Sequence, residues 1–113
     1  MPCIFCSIRD DESPAQKVYE DDLAVAFEDT NPQAPMHLLV IPRKHLATLN
    51  DVGPEDEALI GHLFTVGAKL AQGRGLAQRG WRAVINCNGE AGQSVFHLHL
   101  HVLGGRALQW PPG

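Results

Sequence analysis

No apolar run in this 113-residue chain approaches the ~18–20 consecutive residues that cross a bilayer, so no membrane span is predicted. Met1-Pro2-Cys3-Ile4 lacks the basic and then apolar build of a secretory leader. Excess positive charge is missing too: nine Lys and Arg stand against thirteen Asp and Glu, a net charge of −4. That balance argues against a general nucleic-acid binder, yet it leaves room for a local site for one small anion. Cysteine is scarce and odd in number, three in all, which argues against a disulfide scaffold and for a reducing, cytoplasmic setting. Internal repeats, low-complexity tracts and linkers are absent, so residues 1–113 are expected to form a single domain. A composition of 44% hydrophobic and 19% charged residues is that of an ordinary globular chain and excludes disorder.

The pattern predicts an α+β fold with an antiparallel sheet. Cys3 to Asp10 reads as a short helix or turn ending before Ser13-Pro14. Lys17–Glu20 and Leu23–Glu28 read as two strands paired around Asp21-Asp22. Asp29 to Pro35 has turn chemistry throughout, and His37–Ile41 is an apolar strand stopped by Pro42. A short helix is expected over Lys44–Leu49. Pro54-Glu55-Asp56-Glu57 opens the main helix, with Leu59, Leu63, Val66 and Leu70 at helical spacing and Ile60 and Phe64 widening the stripe. Gly73 and Gly75 end it. Strands are expected at Trp81–Cys87 and Phe96–Leu103, followed by an extended arm carrying Trp110.

Six histidines are present, and three of them alternate: His97, His99 and His101. In a strand, positions i and i+2 share a face, so these imidazoles would project together, about 6.5–7 Å apart, with Leu98, Leu100 and Val102 facing the core. Three readings stand side by side: a half-buried strand with a polar face, a metal site built on H-x-H, and a catalytic row in which imidazole is nucleophile or proton carrier. The preceding segment, Asn88-Gly89-Glu90-Ala91-Gly92-Gln93-Ser94, favours catalysis. Its glycines let backbone N–H groups approach an anion, and Gln93 and Ser94 add side-chain donors. A phosphate-cradling loop that runs into a histidine row suits phosphoryl or nucleotidyl transfer.

The pattern His-φ-His-φ-His-φ-φ at 97–103 resembles the signature of the histidine triad superfamily. Val18-Tyr19-Glu20-Asp21-Asp22, Pro32-Gln33-Ala34-Pro35, Val40-Ile41-Pro42-Arg43-Lys44-His45, Gly92-Gln93-Ser94-Val95-Phe96 and Leu103-Gly104-Gly105-Arg106 resemble its Hint branch. Trp110-Pro111-Pro112-Gly113 is similar to animal-type Hint tails. The resemblance implies a five-stranded antiparallel sheet with one long and one short helix, and a homodimer whose sheets join across a two-fold axis. It implies hydrolysis of purine nucleoside 5′-phosphoramidates of the AMP or GMP type, with His99 as nucleophile and a nucleotidyl-histidine intermediate. By the same resemblance His101 and Ser94 donate to the phosphate, Ser94 helps protonate the leaving amine, and His37 supports the row. Asp29, which alone reads as a turn former, would accept from the ribose. Phe27 and Leu38 would lie near the base, and Asn86, Gly92 and Gln93 near the phosphate. No cofactor would be needed for this chemistry.

Cys3 and Cys6 form a C-x-x-C pair, whose spacing suits zinc or a redox motif and supplies two ligands only. In some prokaryotic triad proteins, and in the related galactose-1-phosphate uridylyltransferases, such a pair is completed by two histidines. The resemblance therefore implies a structural zinc held by Cys3, Cys6, His45 and His97. Cys87 reads as a buried strand residue. Rival functions are a dinucleoside polyphosphate hydrolase or nucleotidyl transferase, a zinc hydrolase using the histidine row, and a nucleotide-binding regulatory module with little turnover.

Overall fold

The computed structural model describes residues 3–113. Helix α1 (Ile4–Arg9) starts at Cys3, whose Sγ accepts the Cys6 N–H, and is followed by β1 (Lys17–Glu20), β2 (Ala24–Glu28) and β3 (Met36–Pro42). Then come the long helix α2 (Glu57–Gly73), β4 (Trp81–Val84) and β5 (Leu100–Gly104). The five strands form one antiparallel sheet in the order β1-β2-β3-β5-β4, so β5 inserts between β3 and β4, and β4 is an edge. The fold class and the count of five strands with one long and one short helix agree with expectation.

The sheet is covered differently on its two faces. Every residue of β3 is buried. Met36, Leu38 and Val40 pack with Leu98, Leu100 and Val102 against Leu63, Val66 and Ala71 of α2. Their neighbours Leu39 and Ile41 face the other way and pack with Val25 and Phe27 against Phe5 and Ile8 of α1. This two-sided burial is why β3 reads as a continuous apolar run rather than an alternating one. Gly67 lets α2 approach β5 closely, because a Cβ there would stand 3.1 Å from Val102 Cγ2. The sixth histidine, His62, pins α2 to the β1–β2 turn: its Nε2 donates to Asp21 Oδ2 at 2.6 Å, and Tyr19 Oη donates to the same oxygen at 2.6 Å. On the second face, Phe5 and Ile8 of α1 pack on β2 and β3.

Five local expectations are corrected. Lys44–Leu49 is not helical: the Leu46 carbonyl accepts the Leu98 N–H at 2.7 Å and the Ala47 carbonyl accepts Gln93 Nε2 at 2.8 Å. Those carbonyls serve the loop before β5, so they cannot serve a helix. In their place Thr48 caps a single 3₁₀ turn over Leu49–Asp51. A second 3₁₀ turn, Pro54–Asp56, precedes α2, which begins at Glu57. The Phe96–Leu103 strand joins the sheet only at Leu100, and β4 correspondingly stops at Val84, the partner of His101. Phe64 faces outward and is 42% exposed, outside the stripe that Leu63 and Val66 form. The arm after β5 is extended, and Trp110 is exposed.

Candidate active site and metal group

His97 and His99 lie in the extended segment leading into β5, and His101 lies within it. The hydrogen bonds around them fix which nitrogen carries each proton. His99 Nδ1 stands 2.8 Å from the His97 carbonyl oxygen, so Nδ1 carries the hydrogen and Nε2 keeps its lone pair. Burial also holds the His99 pKa below the ordinary histidine value, so the ring is neutral at pH 7. A neutral imidazole with a bare Nε2 is the form that can attack phosphorus.

A second chain of bonds sets His101. The Gln33 N–H donates to His37 Nδ1 at 3.0 Å, so the His37 proton sits on Nε2. That nitrogen is 2.9 Å from His101 Nδ1 and 3.3 Å from Asp29 Oδ2. His101 Nδ1 therefore accepts, and its own proton lies on Nε2, where it can donate to an anion without a net charge. Burial first, then the neighbouring His99 and His37, push the His101 pKa down to about 4. His37 is likewise held low, mainly by burial.

His99 and His101 line a cavity of about 410 Å³, within the size range of small-ligand sites, about 300–1,000 Å³. Its apolar wall is Phe5, Ile8, Phe27 and Leu39; its polar rim is Asp29, Thr30 and Ser94. Phe27, Asp29 and Ser94 thus share this cavity with His99 and His101. Asp29 also shapes the turn, since Oδ1 accepts the Asn31 N–H at 2.8 Å.

Four expected contacts are corrected. Leu38 is fully buried on the α2 side of the sheet; Leu39, one residue on, faces the cavity. Gln93 is buried and its amide is used internally: Nε2 donates to the Ala47 and Val95 carbonyls, and Oε1 accepts the Asn88 N–H. It braces the loop. The Gly92 and Gln93 N–H groups donate to the Gly89 and Asn88 carbonyls, so they are not aimed at an anion. Gly92 instead supplies the left-handed turn, with φ of 92°. The Ser94 N–H makes no bond among the described residues, and the exposed Ser94 side chain lines the cavity beside His99. Asn86 lies outside this cavity, in a second one on the other side of His101.

Cys3, Cys6, His45 and His97 converge into one group. His97 Nε2 donates to the Pro42 carbonyl at 2.9 Å, which turns its bare Nδ1 toward the cysteines. That nitrogen is 3.4 Å from Cys3 Sγ, 3.6 Å from Cys6 Sγ and 3.1 Å from His45 Nδ1, and Cys6 Sγ is 3.4 Å from His45 Nδ1. A zinc tetrahedron with Zn–S of about 2.3 Å and Zn–N of about 2.05 Å has S···N edges of roughly 3.5 Å and N···N edges of roughly 3.3 Å. The donor set and spacing fit a closed structural site. Cys87 is half-buried and takes no part.

One contributor has no obvious mark in the sequence. Phe5 sits between the two cysteines and packs edge-on to His99, with ring centroids 5.1 Å apart, and to Phe27 at 5.4 Å. The only signal for it is an aromatic residue inside the C-x-x-C helix. Through it, the Cys/His group, the cavity wall and His99 all meet at one short helix.

Comparison with known proteins gives a consistent result. The family model described as "HIT domain" matches residues 10–108. An uncharacterised HIT-like protein of Synechocystis is 54% identical over 110 residues, covering 97% of this chain and 96% of that protein. A HIT family hydrolase from Legionella pneumophila has a solved structure that superposes with a TM-score of 0.97 at 51% identity, covering 99% of this chain and 100% of that one. A zinc-bound histidine triad family protein from Mycobacterium smegmatis superposes at 0.80 with 38% identity, covering 92% of this chain and 75% of that one.

Proposed function

As the chain belongs to the HIT domain family, we propose that it hydrolyses purine nucleoside 5′-phosphoramidates through a nucleotide covalently held on His99. The observation that carries the reading is the His99 Nδ1–H bond to the His97 carbonyl, which leaves a neutral imidazole with a bare Nε2 on the cavity wall. The nucleoside lies against Phe5, Phe27 and Leu39, with Asp29 accepting from the ribose.

In the first step His99 Nε2 forms a bond to the α-phosphorus, and the P–N bond to the amine breaks. The leaving nitrogen takes one proton, relayed from solvent through the Ser94 hydroxyl, and departs as the amine. His101 Nε2–H and the Ser94 N–H donate to the non-bridging phosphate oxygens, where charge builds in the transition state. His37 acts through His101, holding its proton on the nitrogen that faces the phosphate. In the second step water attacks phosphorus, the N–P bond breaks, and the nucleoside monophosphate leaves. Water's hydroxyl ends on phosphorus and its proton replaces the one given to the amine.

Cys3, Cys6, His45 and His97 would hold the zinc. When bound, it supplies a rigid clamp that fixes the start of the catalytic strand and takes no part in bond breaking. A reducing cytoplasm would keep both thiols available to it. The protein acts as a homodimer, the second copy pairing along the open edge of β4, with Trp110 reaching toward the partner's site.

A hydrolysis panel tests the reading: adenosine and guanosine phosphoramidates beside dinucleoside polyphosphates. Preferential release of amine from the phosphoramidates is the expected result. Preference for the dinucleotides would reassign the substrate, and binding without turnover of either class would make this a regulatory module.

A further inference from the structure

Four donor side chains converge at the start of the catalytic strand, and they do not share one environment. His97 is fully buried, and Cys3 Sγ lies 3.4 Å from its Nδ1. His45 is exposed, and Cys6 Sγ lies 3.4 Å from its Nδ1. The group therefore has an inner and an outer side, and Cys6 belongs to the outer. Both cysteines are free thiols and only half-buried.

The pair is also built to close on itself. Cys3 has extended backbone, with φ of −84° and ψ of 125°, and caps α1 three residues ahead of Cys6. Residues three apart on a helical turn have Cα atoms about 5 Å apart, inside the disulfide range of about 4.4–6.8 Å. The ligand atoms of the whole group already lie within 4.8 Å of one another, so side-chain rotation brings the two sulfurs together. Cys87 lies after β4, outside this group. A cysteine held by zinc is a thiolate, the form that reacts with peroxides.

Two contacts carry the state of the pair to His99. His97 meets the cysteines through Nδ1, and its own carbonyl accepts the His99 Nδ1–H at 2.8 Å. Phe5 stands between the two cysteines on α1 and packs edge-on to His99, with ring centroids 5.1 Å apart. Closing the pair takes both thiolates from the metal group that anchors His97. It also takes Cys3 Sγ from the Cys6 N–H it caps at 3.4 Å, so the turn carrying Phe5 loses its cap.

Resting on the zinc and hydrolase readings, we infer that Cys3 and Cys6 are an oxidation site for hydroperoxides, where disulfide formation releases the metal and loosens His99. Cys6 Sγ attacks one peroxide oxygen and the O–O bond breaks, leaving a sulfenic acid and a hydroxide. Cys3 Sγ then attacks the Cys6 sulfur, and the S–O bond breaks with loss of a second hydroxide. The thiolates give two electrons, the peroxide takes them, and two protons from solvent complete two waters. In a reducing compartment such a bond is transient, as a sensor requires.

The test uses untagged protein as purified, with Cys87→Ser beside it. Hydrogen peroxide is added with a chromophoric zinc chelator present; remaining thiols are then alkylated and the peptides mapped. Cys3 and Cys6 should be joined in one peptide two hydrogens lighter, with one zinc released per link and Cys87 still open to alkylation. Hydrolysis of an adenosine phosphoramidate should fall about tenfold in step with the link, the worth of one orienting hydrogen bond. Dithiothreitol with zinc should restore it, and Cys87→Ser should respond as the native protein does. Oxidation of Cys87 ahead of the pair overturns the inference. So does a Cys3–Cys6 link that leaves zinc bound or hydrolysis unchanged, or zinc loss with both thiols still alkylable. If the purified protein holds no zinc, the zinc reading falls, while the order of oxidation and the loss of hydrolysis still decide the switch. If it hydrolyses nothing, the hydrolase reading falls, while the link and the zinc release still decide the oxidation site.

Discussion

Replacing Phe5 with alanine removes a side chain that ties α1 to both the core and His99. Phe5 is 6% exposed and packs edge-on to Phe27 and His99. Truncating a buried phenylalanine costs about 3–5 kcal/mol; the lower figure applies here, because α1 is short and can relax into the gap. At about 4 °C per kcal/mol for a domain of this size, Tm should fall by roughly 12 °C. The edge contact with His99, about 0.5–1.5 kcal/mol, adds a loss of about two- to tenfold in catalysis. Phe5 also walls the cavity proposed to take the nucleoside, so KM should rise as kcat falls. The assays are a thermal melt and steady-state kinetics at a temperature where the variant is still folded. Phe5→Leu separates the two effects, because it keeps apolar volume and loses the ring edge. A Tm drop under about 3 °C, together with kcat/KM within about twofold of the native value, would refute the placement of α1 as a wall of the site.

Other consequences follow from single features. His101 is neutral in the fold with a pKa near 4, against an ordinary value of 6.5. Between those limits the unfolded chain takes up a proton that the folded chain refuses, so this contribution is full above pH 6.5 and is lost as pH falls. Urea melts at pH 7 and pH 5 should differ by about 2 kcal/mol from this group, and His101→Asn should flatten that dependence; equal slopes in the two proteins would contradict it. Protein purified without an affinity tag should carry close to one zinc per chain, and Cys6→Ser should lower the content sharply. Native protein with less than about a tenth of a zinc per chain would sink the metal assignment.

Much of this was readable because the local physics was one-sided. The alternation from His97 to His101 could place histidines on only one face, with leucines and a valine beneath α2, even though the sheet itself starts later. Turn residues bounded β2 and β3 for the same reason. What could not be read depended on distant partners. Leu38 and Leu39 are indistinguishable in a strand buried on both faces; only α1 and α2, remote in sequence, decide which faces the cavity. Gln93 looked like a phosphate donor because Ala47, the partner that occupies it, lies 46 residues away. The absence of a helix at Lys44–Leu49 has the same origin, since its carbonyls serve Leu98 and Gln93. Phe5 lies inside the C-x-x-C segment, where the local pattern carries a metal signal and its packing partners, Phe27 and His99, are remote in sequence.

The most direct measurement of the central claim is a quench into alkaline detergent within one turnover, which preserves a P–N bond, using a phosphoramidate labelled at the nucleoside, followed by mapping of the labelled peptide under alkaline conditions. One nucleotide bound through nitrogen to His99 is expected in the native protein, and no label in His99→Ala. Turnover with no protein-bound nucleotide, or a label on another residue, would contradict it.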